Sequence, residues 1–378
     1  MCATHTDVPA LGGLRVVDLS NLFAGPQVAA ILADYGADVV KVEPPTGDPL
    51  LRLGARRGGR SAPYALANRG KRLVHLDVDD DADRGCLHEL LAQADVVVTN
   101  QPLSVLRTWG ADPDAVLAVN PRAVVVTVSC FGTDGPWADR PGNGSLAEAF
   151  AGLTHLTGDA EGPPLLPSVA LGDSLVAMAG ALGALAACWS RDVNGGAGQH
   201  VDVTMYEPII SLLGPAVAAW DPAGAPPART GSRVPGGVPR NVYQGGDGRF
   251  LVLSATTDPQ VARVLELLGL PRDDERFATS PARLRHADEL DGLVADWIAE
   301  RPRDEALAAF DAARLPAVPV QDLAELAAHP QVRARRSLDE LDGVMVPGPI
   351  AALRGTPAER RPAPTEAVPV KDVLADWA

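Results

Sequence analysis

The chain has 378 residues, 46% hydrophobic and 21% charged, the mixture of a soluble globular protein with two or three compact domains. Its formal charge of −15 speaks against nucleic acid as a general partner, and no apolar stretch approaches the roughly 20 uninterrupted residues that span a bilayer. Four cysteines (Cys2, Cys86, Cys130, Cys188) stand far apart without a CxxC pair, which argues against a disulfide scaffold or a zinc knuckle and fits a reducing, cytoplasmic compartment.

The first half alternates strand and helix signals. Met1–Pro9 has neither a basic segment nor an apolar core, so no signal peptide is expected. Leu14–Leu19 reads as a buried strand, and a loop from Ser20 to Gly25 leads to Pro26, which suits a first helical position. Val28, Ala29, Ile31 and Leu32 carry a helical pattern that Gly36 stops, and Asp38–Glu43 is the next strand. This βαβ unit is followed by a strand at Leu73–Asp77, a helix at Asp83–Ala92 and a strand at Val96–Thr99. A helix at Pro113–Val119 and a strand at Ala123–Val128 complete an open, doubly wound, Rossmann-like parallel sheet. A helix at Ser145–Leu153, an apolar helix at Ser174–Trp189 and a strand at His200–Met205 come next. A Pro/Gly/Ala-rich linker is placed at 215–240. A smaller α+β domain is expected over 241–330, with a strand at Arg249–Ser254 and helices near 259–269, 287–300 and 303–313. The large domain takes 1–214, and the tail 331–378 ends in a helix near Lys371–Trp377.

Three features carry candidate chemistry. Between Pro49 and Leu76 lie Arg52, Arg56, Arg57, Arg60, Arg69, Lys71 and Arg72 without one acid, a stretch suited to phosphates or simply a solvated edge. The phosphate loops GxxxxGK[ST] and GxGxxG are absent. Ala24 and Gly25 allow a ligand close to the backbone at a helix start, where N–H groups are free; an ordinary tight turn explains them equally simply. Asp173, in Gly172-Asp173-Ser174, reads either as a helix N-cap or as a carboxylate nucleophile kept ionised by the helix dipole. The seven histidines form no metal-binding pattern, and Ser129 and Ser168 lack a GxSxG elbow, so neither a metal site nor a serine hydrolase is expected.

An ordered set of fragments is similar to the class III CoA-transferases, the formyl-CoA transferase or CaiB/BaiF family. The fragments are Leu14–Ser20, Ala24-Gly25-Pro26, Leu32–Pro45, Asn68–Arg72, Phe131–Pro136, Gly172-Asp173-Ser174, Gly198–Val203 and Pro239–Tyr243. The resemblance implies a Rossmann-like large domain built from both chain ends, a smaller inserted domain and an interlocked homodimer. It implies that Asp173 attacks an acyl-CoA thioester and that a carboxylic acid finally collects the CoA, with no metal. Val17, Ala24 and Gly25 would flank the CoA channel, Lys41, Lys71 and Arg72 would lie near its ADP end, and Asn100 matches a family asparagine. Gly236-Gly237 falls near a family loop that covers the reactive centre.

Departures are visible as well. After Asn100 the chain reads Gln101-Pro102-Leu103-Ser104 where the family has Phe-Arg-Pro-Gly, so a phosphate-side arginine is missing and Arg107 is its nearest substitute. Asn143-Gly144 stands where many members have Tyr-Asp or Tyr-Glu, removing an acidic neighbour of the active site, and where racemase relatives have His-Asp. The alternatives to a transferase are an α-methylacyl-CoA racemase, which Asn143 disfavours, and a non-catalytic acyl-CoA-binding dimer.

Overall fold

A computed structural model describes residues 8–378 of the chain; Cys2 lies outside the described residues. Six strands form one parallel sheet: β1 (Arg15–Asp18), β2 (Asp38–Glu43), β3 (Arg72–His75), β4 (Val96–Thr99), β5 (Val124–Ser129) and β6 (Gln199–Thr204). Their spatial order is β3-β2-β1-β4-β5-β6, with every neighbouring pair parallel. The order reverses between β1 and β4, and in such sheets the crevice beyond the carboxyl ends at that reversal is where ligands bind.

Side chains alternate across the sheet, and both faces are apolar. Val16, Val39, Val98 and Val126 enter one core, while Val17, Val40, Val97 and Val125 enter the other. That is why the strands read as near-continuous valine runs. Helices α1 (Ala24–Asp34) and α5 (Leu171–Val193) contribute to the first core. Helices α2 (Asp81–Gln93) and α3 (Pro113–Val119) and the C-terminal helix Val370–Trp377 contribute to the second. A short helix, α4 (Gly144–Phe150), precedes α5.

Most expected elements form within a residue or two of their predicted limits. Helix α1 starts at Ala24, so Pro26 is its third residue, still in the turn whose N–H groups lack intrahelical partners. Gly36 ends it with φ +97°. Helix α5 is longer than its apolar run predicted, starting at Leu171 and extending to Val193. By length and composition alone it is apolar enough to cross a bilayer, although its charged residues interrupt the apolar run. Its first turn holds Asp173, Arg191 is buried near its end, and its inward face is made of small residues. A methyl group on Gly180 would come within 2.8 Å of Val28 Cγ2, so glycine lets α5 lie close to α1.

The chain divides into two compact units. The larger comprises residues 8–153, 166–221 and 334–378, and the smaller 154–165 and 222–333. The smaller has its own antiparallel sheet of β7 (Arg240–Gln244), β8 (Phe250–Ser254) and β9 (Ala317–Pro319), in the order β9-β8-β7. Leu251, Leu253, Val264, Phe277, Leu290 and Phe310 fill its core. In the larger unit the C-terminal tail pairs with the edge of the parallel sheet, Val368 N donating to Leu73 O at 2.8 Å.

Candidate active site

Asp173 does not cap its helix. The N-cap is Ala170, and Asp173 is the third residue of α5, half-buried in the first turn. The reading of this residue as the helix N-cap therefore fails. Burial pushes its carboxyl above the ordinary carboxylate range, its own backbone N–H draws it part of the way back, and the nearby Glu148 carboxylate adds to the rise. The helix terminus is thus not the only influence on its ionisation. A carboxylate with a raised pKa is a more basic nucleophile.

Helix α4 builds the wall beside it. Asn143 accepts a hydrogen bond from Leu146 N at 3.2 Å, so its side chain caps α4 and is spent on structure. A methyl group on Gly144 would overlap Asp173 Oδ2, and one on Gly172 would come within 2.9 Å of Gly144 O. The two glycines let the starts of α4 and α5 meet. One turn on, Glu148 is 1% exposed and its Oε1 accepts from Gly172 N at 2.9 Å. An acidic neighbour is therefore present, contrary to what Gly144 led the sequence reading to expect. It sits four residues later, on the same helical face, a spacing the sequence did display. Cys130 completes the surroundings, its thiol pushed up to about 11 by burial, with the Asp173 charge adding to the rise.

The second feature is the crevice at the sheet's reversal. A cavity of about 290 Å³ is lined by Ser20 and Asn21 after β1, Pro44 after β2, Leu76 and Val78 after β3, Gln101 after β4, and Arg52. Ala24 and Gly25 form the first turn of α1 beside it, and a methyl group on Gly25 would overlap Ser20 Cβ and approach Asn100 Cβ to 3.3 Å. Asn100 clamps the loop at two points, accepting from Asn21 N at 2.9 Å and donating to Asn21 O at 2.8 Å.

Beneath this loop lies a buried ionic hub. Asp18 is fully buried at the end of β1, ion-paired with Lys71 at 2.8 Å and with Lys41 at 3.9 Å. Burial would push its carboxyl up, but the two ammonium charges outweigh that and hold it below the ordinary range. Lys41 Nζ also donates to Ser20 O and pairs with Asp48 at 3.4 Å. Lys71 Nζ is further surrounded by Pro26 O, Ala67 O and Asn68 Oδ1 within 2.9 Å.

The predicted binding residues thus separate. Ala24, Gly25, Asn100 and Lys41 gather at the carboxyl ends of β1, β2 and β4, while Val17 is packed inside the sheet's core. The ammonium groups of Lys41 and Lys71 are turned inward and hold the loop from below. Arg72 does not join them: its guanidinium binds Asp38 and Asp376 at the amino end of the sheet. Of the acid-free stretch, Arg69 is also internal, paired with Asp34 at 2.6 Å. Arg52, Arg56 and Arg57 donate to backbone carbonyls and have no carboxylate partner among the described residues. Arg107 is exposed and is not among the residues lining the crevice, whereas Gln101 is. Gly236-Gly237 belongs to the smaller unit.

Known proteins agree with this architecture. The model of CoA-transferase family III matches residues 11–367. The chain is 34% identical to the succinyl-CoA–D-citramalate CoA-transferase of Chloroflexus aurantiacus over 87% of its length and 82% of that protein's. It is 30% identical to the succinate–glutarate CoA-transferase of Agrobacterium fabrum, over 97% of its length and 96% of that protein's. The crystal structure of a CaiB/BaiF family protein from Brucella suis superposes with a TM-score of 0.87 at 29% identity, covering 98% of this chain and all of that one. These relatives lead to one conclusion: the chain belongs to CoA-transferase family III and is an enzyme of that class.

Proposed function

We propose that the enzyme moves CoA from an acyl-CoA donor to a carboxylic acid through covalent intermediates on Asp173. Asp173 Oδ attacks the thioester carbonyl, the C–S bond breaks, and CoA leaves as a thiolate from a mixed anhydride. The thiolate then attacks the aspartyl carbonyl, releasing the donor acid and leaving an aspartyl-CoA thioester. The acceptor carboxylate attacks that thioester to form a second anhydride. The thiolate attacks the acceptor's acyl carbon, giving the new acyl-CoA and restoring Asp173. No net proton is consumed. The observation that carries this reading is a half-buried carboxylate that does not cap its helix, with a raised pKa and no cation against it among the described residues.

CoA's ADP end is proposed to lie in the crevice above Asn100, Ala24 and Gly25, with Val17, Lys41 and Lys71 supporting its floor from within. Arg52, Arg56 and Arg57, which donate to backbone carbonyls and have no carboxylate partner among the described residues, offer positive charge for its phosphates. Arg72 enters this proposal only as a brace of the sheet. A homodimer is proposed as well: Met178, Leu182, Leu185, Trp189 and Val193 form an exposed apolar stripe along α5, with Leu182 70% and Trp189 63% exposed. The free thiols Cys86, Cys130 and Cys188 fit a cytoplasmic setting.

Heavy-oxygen labelling of the acceptor acid tests the mechanism. In a single turnover the label is expected on Asp173 of the enzyme, with the released donor acid unlabelled. Label in the donor acid and none on the enzyme would mean direct transfer between substrates.

A further inference from the structure

Glu148 has no place in the mechanism just described, yet its position is unusual. It is 1% exposed, and one carboxylate oxygen accepts the Gly172 N–H at 2.9 Å, in the first turn of the helix that carries Asp173. Its other oxygen, Oε2, is buried without any hydrogen-bond partner among the described residues. A buried carboxylate oxygen left unpaired costs free energy, and a cation or a donor would ordinarily be recruited to it. Asp18, in the same unit, shows that alternative with two lysines.

We propose that Glu148 is a positioning residue for acyl transfer, its Oε1 fixing the start of α5 and its unquenched charge making the neighbouring Asp173 carboxylate a stronger nucleophile. The inference rests on Asp173 being the nucleophile. Gly144 and Gly172 bring α4 and α5 into contact at this point, and Glu148 holds the Gly172 N–H, one residue before Asp173. A like charge there raises the basicity of Asp173, and nucleophilic rate rises with basicity. The groups facing Asp173 are Glu148 from α4 and the Cys130 thiol from the segment after β5; Glu148 supplies the charge that bears on it. Asp173 basicity and helix position are thereby set by one side chain.

The test compares wild type, Glu148→Gln and Glu148→Ala by rapid-mixing measurement of acyl capture from an acyl-CoA over a range of pH. Gln keeps the acceptor for Gly172 N–H and removes the charge. Capture by Glu148→Gln is expected to slow roughly threefold to tenfold near neutral pH, with its acid limb moved to lower pH. Glu148→Ala is expected to shift the limb equally and lose more rate. Coincident limbs for wild type and Glu148→Gln would overturn the proposal, whatever the rates. Absence of capture by wild type would instead overturn the Asp173 reading beneath it. A readout independent of turnover is the thermal-stability cycle of Asp173→Asn and Glu148→Gln: each single change is expected to stabilise, and the double to stabilise by less than their sum. Additive effects would contradict the coupling.

Discussion

Asp18 and Asp173 lie in the same unit and both lose water to burial, yet they end with opposite pKa shifts. At Asp18 two lysines more than offset desolvation, and the carboxylate becomes a structural rivet under the loop after β1. At Asp173 no cation arrives among the described residues and a second carboxylate stands close, so the charge remains costly and reactive. The lesson is that a buried acid is assigned by its partners rather than by its depth. Cations make it structure, and their absence makes it chemistry.

The sharpest way to break this contrast is to remove each carboxylate. Asp173→Asn is expected to lower turnover at least about 10⁴-fold in a steady-state assay, with CoA binding retained by calorimetry. Asp18→Asn leaves Lys71 buried without its counter-ion and Lys41 with Asp48 alone, and should cost about 3–5 kcal/mol in chemical denaturation. Because the Asp18 pKa is depressed, its contribution is present above the unfolded-state pKa and is lost as pH falls through the folded one. Acid unfolding should therefore be blunted in Asp18→Asn relative to wild type.

Geometry can be separated from charge at Gly144. Gly144→Ala places a methyl group against Asp173 Oδ2 and close to its backbone N, and should reduce kcat about 10²-fold with some loss of melting temperature as α4 and α5 move apart. An unchanged kcat would show that the carboxylate tolerates displacement. On the outer face of α5, Leu182→Asp should convert the proposed dimer to monomer in sedimentation, without touching either carboxylate.

The smallest effect is also the most diagnostic. With its folded pKa raised, ionising Asp173 costs folding free energy, so its contribution to stability is full below the unfolded-state pKa and declines as pH rises through the folded one. Asp173→Asn should melt about 1–3 °C higher than wild type near neutral pH, with the gap closing on acidification. An inactive variant more stable than its parent is the mark of a site held against its own stability.

Much of the fold was legible because its signals are local. Valine runs at Val96–Thr99 and Asp38–Glu43 have the period and flanks of buried parallel strands, and Gly36 marks a helix end by backbone freedom alone. The small unit's first strand, β7, was overlooked because Arg240–Gln244 has no apolar run. The site was half legible. Asp173 stood out through its fragment, but its partners are set by folding: Asp18 meets Lys71 across 53 positions, and no spacing rule announces that pair. The resemblance puts Lys41, Lys71 and Arg72 near the ADP end of CoA, and the linear sequence shows their charge without the acids that pair with them in the fold. Glu148 was missed although it follows Gly144 by one helical turn, since nothing in the linear pattern told that the turn faces Asp173.

The most direct measurement is intact-protein mass spectrometry after incubation with an acyl-CoA, with and without hydroxylamine. Wild type is expected to acquire a covalent CoA adduct that peptide mapping places at Asp173, that hydroxylamine removes, and that Asp173→Asn never acquires. An active enzyme with no adduct, or an adduct that survives in Asp173→Asn, would contradict the Asp173 assignment.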